Sequence, residues 1–478
     1  MAVTGETFVA LLPELVATGF LILTLLVGVF GERNVGLVAG LGALGTLAVF
    51  GSAAGMLAAG FSGSFFGGGF VVDGFALYFK VIVGASAFFA VLAAARWSGY
   101  TGDAGEYLTL ILSVLLGSIL LVSMRDLFGI FLAIELATIP SYAMVAFDRS
   151  RRESAEGGMK YLITGVIASS VLLYGIVLIY GVSGSAALAD VAEAHTGGLS
   201  PVALVGLVLL VSGFAFKVSA APFHFWTPDA YQGAPTSAAA FLSVAPKAAI
   251  FAVLLRILLE GMPEAAPAWT ALMAVLAIIT MFIGNLFALR QRNVRRMLAY
   301  SSVAHSGYIL AAFAALQGDA VPTAVEAVLI YAAAYALMNM GAFFTLDLVG
   351  EDAKSFNGLF RARPALALSM GVFMAALVGI PPFSGFFGKA WVILAGAQSG
   401  STLVYVVIGA LVLNTVLSVP YYFGIIRNMF FEEPTVDARG PKGAGAVRFS
   451  VYALAVATTL FIFFVGPLSA LARASGLL

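Results

Sequence analysis

Apolar stretches long enough to cross a bilayer follow one another along almost the whole chain, separated by short breaks rich in charge, glycine or proline. A helix needs ~20 mainly apolar residues to cross about 30 Å of hydrocarbon. Dividing the chain at these breaks predicts fourteen helices and therefore an all-α, polytopic membrane protein. The predicted helices span residues 8–30, 35–59, 71–95, 107–123, 126–147, 159–182, 201–226, 237–260, 267–289, 296–316, 324–349, 365–396, 402–431 and 447–471.

Proline interrupts two of these helices at matching places. Ala221-Pro222-Phe223 lies in the seventh helix and Pro381-Pro382-Phe383 in the twelfth. The following helices also match, because Leu242-Ser243-Val244-Ala245-Pro246 in the eighth resembles Leu417-Ser418-Val419-Pro420 in the thirteenth. The seventh and twelfth helices are five apart, so they cross in opposite directions. This predicts an inverted-topology repeat of helices 4–8 and 9–13, with the broken helices 7 and 12 pointing to an ion site.

The repeat divides the chain into four predicted regions. Residues 1–100 form an N-terminal three-helix segment, residues 101–260 the first repeat of helices 4–8, and residues 261–431 the second, inverted repeat of helices 9–13. Residues 432–478 hold a C-terminal loop and the last helix. The first three helices carry the least distinctive sequence, so no function is assigned to them.

Basic residues concentrate on one side of the predicted membrane. The loops that follow odd-numbered helices hold sixteen of the 24 Lys and Arg residues, whereas the opposite loops hold little beyond Arg125 and Arg473. Basic loops stay cytoplasmic. Both termini are therefore expected on the periplasmic side of a bacterial inner membrane.

The amino-acid composition limits the environment, partners and cofactors to be expected for this chain. Hydrophobic residues make up 61% of the chain and charged residues 10%, with 24 basic against 24 acidic side chains. These values indicate a lipid environment and give no reason to expect a nucleic-acid partner. The absence of cysteine excludes disulfides, thiolate zinc sites and cysteine-bound iron–sulfur clusters within this chain. Three scattered histidines do not predict a metal site either.

Five ionisable residues inside the predicted helices are the candidates for chemistry, because each is costly to insert into lipid. Glu135 lies about nine residues, or ~13 Å, into the fifth helix, near the midplane. Lys217, just before the proline break, and Lys247, about ten residues into the eighth helix, lie at a similar depth. Lys389 is in the outer half of the twelfth helix, and Lys160 opens the sixth helix near the cytoplasm.

These residues could form a switchable proton site. Burial favours the neutral form of a lysine and a nearby carboxylate favours the charged form. If Glu135 approached or left Lys160 or Lys217, proton uptake would be coupled to that motion. His224 and His305 suit a relay between lysines, because imidazole titrates near neutrality.

Each residue also has a purely structural interpretation. Glu135 and Lys217 could be a fixed ion pair, Lys160 could extend to the cytoplasmic interface, and His224 and His305 could be packing residues. For Lys80 and Arg256, which lie nearer helix ends, extension to the interface is the expected state. His195 is expected to be solvated in a polar loop.

Two segments identify a family resemblance, which covers helices four to thirteen. Residues 221–236 contain the core Pro222-Phe223-His224-Phe225-Trp226-Thr227-Pro228-Asp229, followed by Tyr231-Gln232-Gly233-Ala234-Pro235-Thr236. The core resembles the antiporter-like subunits of complex I and of multisubunit sodium/proton antiporters, and the second stretch resembles the N-type subunits in particular. Residues 296–308 resemble the tenth-helix pattern of the same superfamily.

The resemblance implies roles by position. Glu135 corresponds to the helix-five glutamate, Lys217 to its helix-seven partner, Lys247 to the central helix-eight lysine and Lys389 to the helix-twelve exit residue. Lys160 matches the helix-six lysine typical of N-type subunits. A lysine in helix twelve disfavours the M-type subunit, and the absence of a long C-terminal extension disfavours the L-type subunit.

The resemblance also implies where the electron chemistry takes place. NADH, FMN, iron–sulfur clusters and quinone are expected in partner subunits, with no cofactor in this chain, and the partners are other complex I subunits of the membrane arm. Two other functions stay open. The chain could be a cation/proton antiporter subunit without redox coupling, which residues 231–236 disfavour, or a scaffold subunit that does not pump.

Overall fold

The structure is a computed structural model that describes residues 5–30, 34–101, 103–434, 441 and 443–473, with the backbone alone for 95–101. The loop expected to open the C-terminal region lies largely outside the described residues. Two short strands, β1 Gly63–Phe65 and β2 Phe70–Val72, form an antiparallel hairpin. The α-helices are α1 Gly5–Ala10, α2 Leu12–Phe30, α3 Val35–Ala58, α4 Gly74–Thr101, α5 Ala104–Leu121, α6 Leu127–Val145, α7 Arg152–Ser183, α8 Leu188–Ala194, α9 Pro201–Lys217, α10 Trp226–Gly233, α11 Thr236–Leu242, α12 Ala245–Arg256, α13 Ala266–Ala288, α14 Val294–Ala314, α15 Val321–Val349, α16 Leu359–Ala362, α17 Pro364–Val378, α18 Ser384–Gln398, α19 Thr402–Phe431, α20 Gly445–Leu460 and α21 Val465–Arg473.

Every one of the fourteen predicted segments overlaps one or more of these helices. Within the described residues, eleven helical segments are long and apolar enough to cross a membrane, and α9 and α17 are shorter apolar helices. The all-α polytopic fold class is therefore confirmed, while the count of fourteen crossings stays a prediction.

Local sequence explains where many helices begin. The side chains of Asp126, Ser200 and Asn293 accept hydrogen bonds from backbone N–H groups in the first turns of α6, α9 and α14. Such caps satisfy donors that the helix itself leaves free, and each contributes about 1 kcal/mol. Pro201 opens α9 at a position where its missing N–H costs nothing.

The predicted breaks in the seventh and twelfth helices are present. Helix α9 ends at Lys217 and the chain resumes helical structure only at Trp226 in α10. Helix α17 ends at Val378, where Gly379 adopts a left-handed conformation (φ 96°), and α18 begins at Ser384. The Ala221–Pro222 and Pro381–Pro382 peptide bonds are both cis. Each break leaves helix ends inside the bundle, where only side chains or water can satisfy them.

The similar motifs in the eighth and thirteenth predicted helices fold differently. Val244 leaves the helical region between α11 and α12, so Pro246 falls in the first turn of a new helix. Pro420, in contrast, lies inside the continuous helix α19. Proline is tolerated in a first turn and disturbs a helix interior, so the local sequence alone does not decide which helix is interrupted.

Burial is greatest in the central helices, among them α12, which carries Lys247. In the most apolar 18 residues of each segment, 94% of the residues are buried for α11, α12 and the following turn, and 89% for the α15 segment. The corresponding share for α2 is 22%. Close crossings depend on small residues, because a Cβ on Gly284 of α13 would lie 2.4 Å from the backbone nitrogen of Ala304 in α14. The interior therefore brings polar side chains from several helices within hydrogen-bonding distance.

Candidate functional site

A lysine–carboxylate cluster joins α6, α7 and α9. The Lys217 Nζ lies 3.3 Å from Glu135 Oε1, as predicted, and also donates to Ser169 Oγ (2.9 Å) and Thr138 Oγ1 (3.3 Å). Ser169 in turn donates to the same Glu135 oxygen at 2.6 Å. The lysine is buried and the glutamate half-buried. Because two hydroxyls share the contacts of the ion pair, the ammonium keeps polar partners if the carboxylate moves.

A cavity of about 20 Å³ lies beside this cluster, between α6 and the start of α12. Its lining includes Lys217, the polar side chains of Ser118, Thr138 and Ser141, and Pro246. A space of this size holds about one water, and a water needs two to four polar partners. The cavity therefore provides a partly polar space between Lys217 and Pro246, the residue before Lys247.

Lys247 occupies the centre of the bundle on α12. Its Nζ donates to Ser302 Oγ of α14 at 2.7 Å and lies 5.9 Å from the centre of the Tyr231 ring. Within the described part of the chain, no carboxylate lies within 4 Å of this amine. The contrast with Lys217 means that the two amines have different electrostatic surroundings.

His305 continues the polar row, one turn after Ser302 on α14. Its Nδ1 lies 2.9 Å from the Tyr331 hydroxyl and its Nε2 lies 3.3 Å from the Tyr422 hydroxyl. Tyr422 also contacts Ser301 Oγ at 2.5 Å. The imidazole therefore links α14, α15 and α19 through groups that can both donate and accept hydrogen bonds.

Lys389 on α18 reaches back across the second break. Its Nζ donates to the carbonyl oxygens of Val378 (2.7 Å) and Leu377 (3.4 Å) at the end of α17, and it lies 4.5 Å from the centre of the Tyr308 ring. The ammonium thus satisfies carbonyls that the interrupted helix leaves free, at the end where the helix dipole favours a cation.

Lys160 does not join the Glu135 cluster. Its Nζ pairs with Glu156 (2.6 Å) and Asp229 (2.7 Å), and 45% of its side chain is exposed. Asp229 also pairs with Arg296. Lys160 precedes Ser169 by nine residues, or about 13 Å along α7. In this conformation Glu135 approaches Lys217 and not Lys160.

His224 is buried in the first break, away from the polar row. Its ring packs against Phe225 and Tyr300, with centroid distances of 4.7 and 6.4 Å. Its Nδ1 has no hydrogen-bond partner among the described residues. The structure therefore brings together Lys247, Ser302 and His305, but it leaves His224 outside that set.

Sequence reasoning missed the hydroxyl partners Ser169, Thr138, Ser302 and Tyr331. Serine in an apolar helix gives little warning, because its hydroxyl often bonds to its own backbone, as Ser170 Oγ does with Val166 O at 2.9 Å. Only the packing of α6, α7, α12, α14 and α15 identifies which hydroxyls face a lysine.

Three expectations about other ionisable residues were wrong. Lys80 is fully buried and pairs with Glu14 at 2.6 Å, and Arg256 is buried between Asp73 and Glu260. Both find carboxylates inside the protein, so neither extends to the interface. His195 is buried at the end of α8, where its Nδ1 lies 2.7 Å from the Val191 carbonyl oxygen.

No group of three or more His, Asp or Glu residues suited to a metal occurs in the described ranges. The broken helices and the row of buried lysines instead define an antiporter-like membrane protein. In agreement, a family model described as NADH:quinone oxidoreductase/Mrp antiporter, transmembrane region, matches residues 124–418. NADH-quinone oxidoreductase subunit N of Rubrobacter xylanophilus is 77% identical over the full length of both chains. The chain belongs to the family of NADH-quinone oxidoreductase subunit N, which confirms the resemblance.

Solved structures agree. A chain of respiratory complex I from Thermus thermophilus is 32% identical, with a TM-score of 0.81, and the match covers 97% of this chain and 100% of that one. A chain of the Mrp complex from a Dietzia species is 20% identical with a TM-score of 0.85, over 98% and 97% of the two chains. At that identity the second likeness concerns the fold alone.

Proposed function

We propose that this chain is a proton-translocating membrane-arm subunit of an NADH:quinone oxidoreductase. Quinone reduction in partner subunits would drive it, and neighbouring membrane-arm subunits would contact it. The observation that carries the proposal is the row of buried amines, Lys217, Lys247 and Lys389, each held by hydroxyls or carbonyls inside the bundle. Such groups are costly in a membrane, and they mark ion pathways.

Glu135 and Lys217 would form the switch. With the carboxylate near, the ammonium is favoured, and with the carboxylate withdrawn the proton is free to move on. The 20 Å³ cavity supports a water between Lys217 and the start of α12. The proton would then pass to Lys247, along Ser302 and His305, and on to Lys389 as the exit residue.

The remaining candidates take lesser roles. Lys160, paired with Asp229, would supply protons or charge at the cytoplasmic side. His224 would act only if the break between α9 and α10 rearranges. We assign NADH, FMN, iron–sulfur clusters and quinone to partner subunits and no cofactor to this chain.

The proposal includes placement and organisation. The chain would lie in a bacterial inner membrane with both termini periplasmic, because its basic loops then face the cytoplasm. Residues 101–260 and 261–431 would be the two inverted repeats, with residues 1–100 and 432–478 flanking them. The matched breaks at 218–225 and 379–383 support this division.

Three variants test the function: Lys217→Ala, Lys247→Ala and Glu135→Ala. Each is expected to lower the proton-to-electron ratio of the assembled complex in proteoliposomes, since each removes a member of the switch or of the path. Lys354→Ala, at an exposed lysine, is the matched control and should leave the ratio unchanged.

Normal ratios in all three assembled variants would overturn the proposal in favour of a scaffold that does not pump. Purification in mild detergent tests the other alternative. Co-isolation with flavin and iron–sulfur absorbance is expected, and an assembled preparation without either would favour an antiporter subunit.

A further inference from the structure

Polar side chains lead into the bundle beside α11, from Glu351 to Ser237. Glu351, at the end of α15, pairs with Arg295 at 3.1 Å. The buried Arg295 donates to the hydroxyl of Thr236, the first residue of α11. Ser237, the next residue, contacts the Tyr107 hydroxyl at 2.8 Å. Because Glu351 is only half-buried, these contacts connect the edge of the bundle with the start of α11.

The other end of α11 carries a second polar contact. Asn339 of α15 donates from Nδ2 to Ser243 Oγ at 2.7 Å, directly after the last residue of α11. The side chain of Asn339 is fully buried, and its carbonyl oxygen Oδ1 has no hydrogen-bond partner in the part of the chain that the structure describes. Ser243 and Asn339 therefore hold an unsatisfied acceptor next to the break that precedes α12 and Lys247.

Two buried tyrosine hydroxyls lie in the same region, and one of the two rings is beside Lys247. Within the described ranges, neither Tyr231 nor Tyr335 makes a hydroxyl hydrogen bond of ordinary distance and angle. Tyr231 is the ring beside the Lys247 amine, and Tyr335 lies one turn from Asn339 on the same face of α15. Ser302, the partner of Lys247, lies close enough to both hydroxyls to interact with them.

Buried polar atoms are almost always hydrogen-bonded, to protein or to ordered water. The Asn339 amide oxygen, the Ser243 hydroxyl beside it and the Tyr335 hydroxyl one turn away provide the two to four polar partners that a bound water requires. Ser237 and Ser243 are six residues apart, or about 9 Å along a helix, a gap that two or three waters spaced by ordinary hydrogen bonds can span.

We propose that Asn339 and Ser243 hold an ordered water through which Lys247 receives protons from the Glu351 side, along α11, without use of Glu135 or Lys217. In each transfer an O–H bond of the water breaks as an N–H bond forms at Nζ, and the next water along α11 returns a proton to the first. Asn339 is a positioning residue for that water. This inference rests on the proposed function.

The route shares no residue with the Glu135 cluster. That cluster is built from α6, α7 and α9, whereas this one uses the start of α11, its end, and the middle of α15. Lys247 would thus have two sources of protons, one through the carboxylate switch and one through bound water.

Two substitutions at one position separate water binding from packing. Asn339→Leu keeps most of the side-chain volume but removes the amide. In a Glu135→Ala background, where this route is the remaining source of protons for Lys247, it should slow NADH-driven proton uptake by assembled complexes roughly tenfold, the order expected when an ordered water is displaced. Asn339→Ala removes the amide but opens space for water, and it should pump nearly as well as the unaltered protein. Thr345→Val is the matched control, because Thr345 is buried on the same helix and its hydroxyl donates to the backbone of that helix.

A packing role predicts the opposite order, with Asn339→Ala at least as damaging as Asn339→Leu, and that result would overturn the inference. Proton uptake by the Glu135→Ala/Asn339→Leu variant equal to that of Glu135→Ala alone would overturn it too. If Asn339→Leu does not assemble, Ser243→Val against Ser243→Ala gives the same comparison. Lys247→Ala, measured in parallel, separates the two proposals. If Lys247→Ala abolishes pumping while Asn339→Leu has no effect, the proposed function stands and only this route is excluded.

Discussion

The buried pair of Glu14 and Lys80 should hold the first long helix onto the bundle. The two charges lie 2.6 Å apart on α2 and α4, with 6% and 0% of their side chains exposed. Removing one partner of a buried pair leaves an uncompensated charge and typically costs about 3–5 kcal/mol. We therefore expect Glu14→Gln or Lys80→Met to weaken the attachment of α2 by that amount, and the double variant to cost much less because no charge is left behind.

The absence of cysteine makes this attachment measurable. A single cysteine introduced by Ala17→Cys, at a position that is fully buried on α2, would react with a membrane-permeant maleimide only when α2 detaches. If detachment is in rapid equilibrium, a cost of about 3–5 kcal/mol raises the labelling rate roughly a hundredfold to several thousandfold. Mass spectrometry of this chain within the intact complex gives the rate.

An exposed ion pair provides the comparison. Arg361 and Glu433 lie 3.0 Å apart, with 57% and 85% of their side chains exposed, so breaking them should cost about 0–1 kcal/mol. Arg361→Gln, combined with Ala17→Cys, should leave the rate of maleimide labelling unchanged. The labelling rates of the single and double variants at Glu14 and Lys80 could instead lie within a factor of about three of one another. That result would show that the buried pair contributes nothing, and the reasoning from burial would then be wrong.

Two further predictions concern the second half of the chain. Lys389→Met should lower the thermal midpoint of the assembled complex, because the carbonyls of Val378 and Leu377 lose their donor at about 1–3 kcal/mol for each unsatisfied group. Lys389→Arg keeps hydrogen-bond donors and should therefore lower the midpoint less than Lys389→Met does. Equal midpoints for the two variants would contradict this reasoning. Arg473→Ala should detach α21, because the buried Glu326 loses its arginine partner. Limited proteolysis should then cleave within α21 faster than in the unaltered complex. Unchanged cleavage would show that other contacts hold the helix.

Apolar periodicity and proline were sufficient for the outline of the fold. They predicted the helices and the breaks at Pro222 and Pro382, because each of these depends on one strong local feature, whereas the pairing of Glu135 with Lys217 was implied only by the family resemblance. Lys80 and Arg256 were misjudged for the opposite reason. Depth along a helix suggested that they extend to the interface, but their carboxylate partners lie on other helices, and only tertiary packing decides whether a charge finds one.

The two breaks show the same limit. A buried lysine lies next to each break, Lys217 before the first and Lys389 after the second, yet the partners of the two lysines differ. Lys217 contacts a carboxylate and two hydroxyls, whereas Lys389 contacts the carbonyls at the end of α17. Matching proline motifs predict where the backbone is interrupted, but not which side chains or carbonyls contact the lysine there.

That difference has a consequence for charge movement through the chain. The carboxylate beside Lys217 is mobile in principle, because Ser169 and Thr138 can hold the ammonium while Glu135 leaves. The carbonyls beside Lys389 belong to a helix end and keep their partial negative charge in every rotamer. Lys217 can therefore lose its charged partner when that partner's side chain moves, whereas the dipoles beside Lys389 stay in place unless the Lys389 amine itself moves away. On the proposed path, a proton would thus pass from a site with a movable carboxylate to one with fixed carbonyl dipoles.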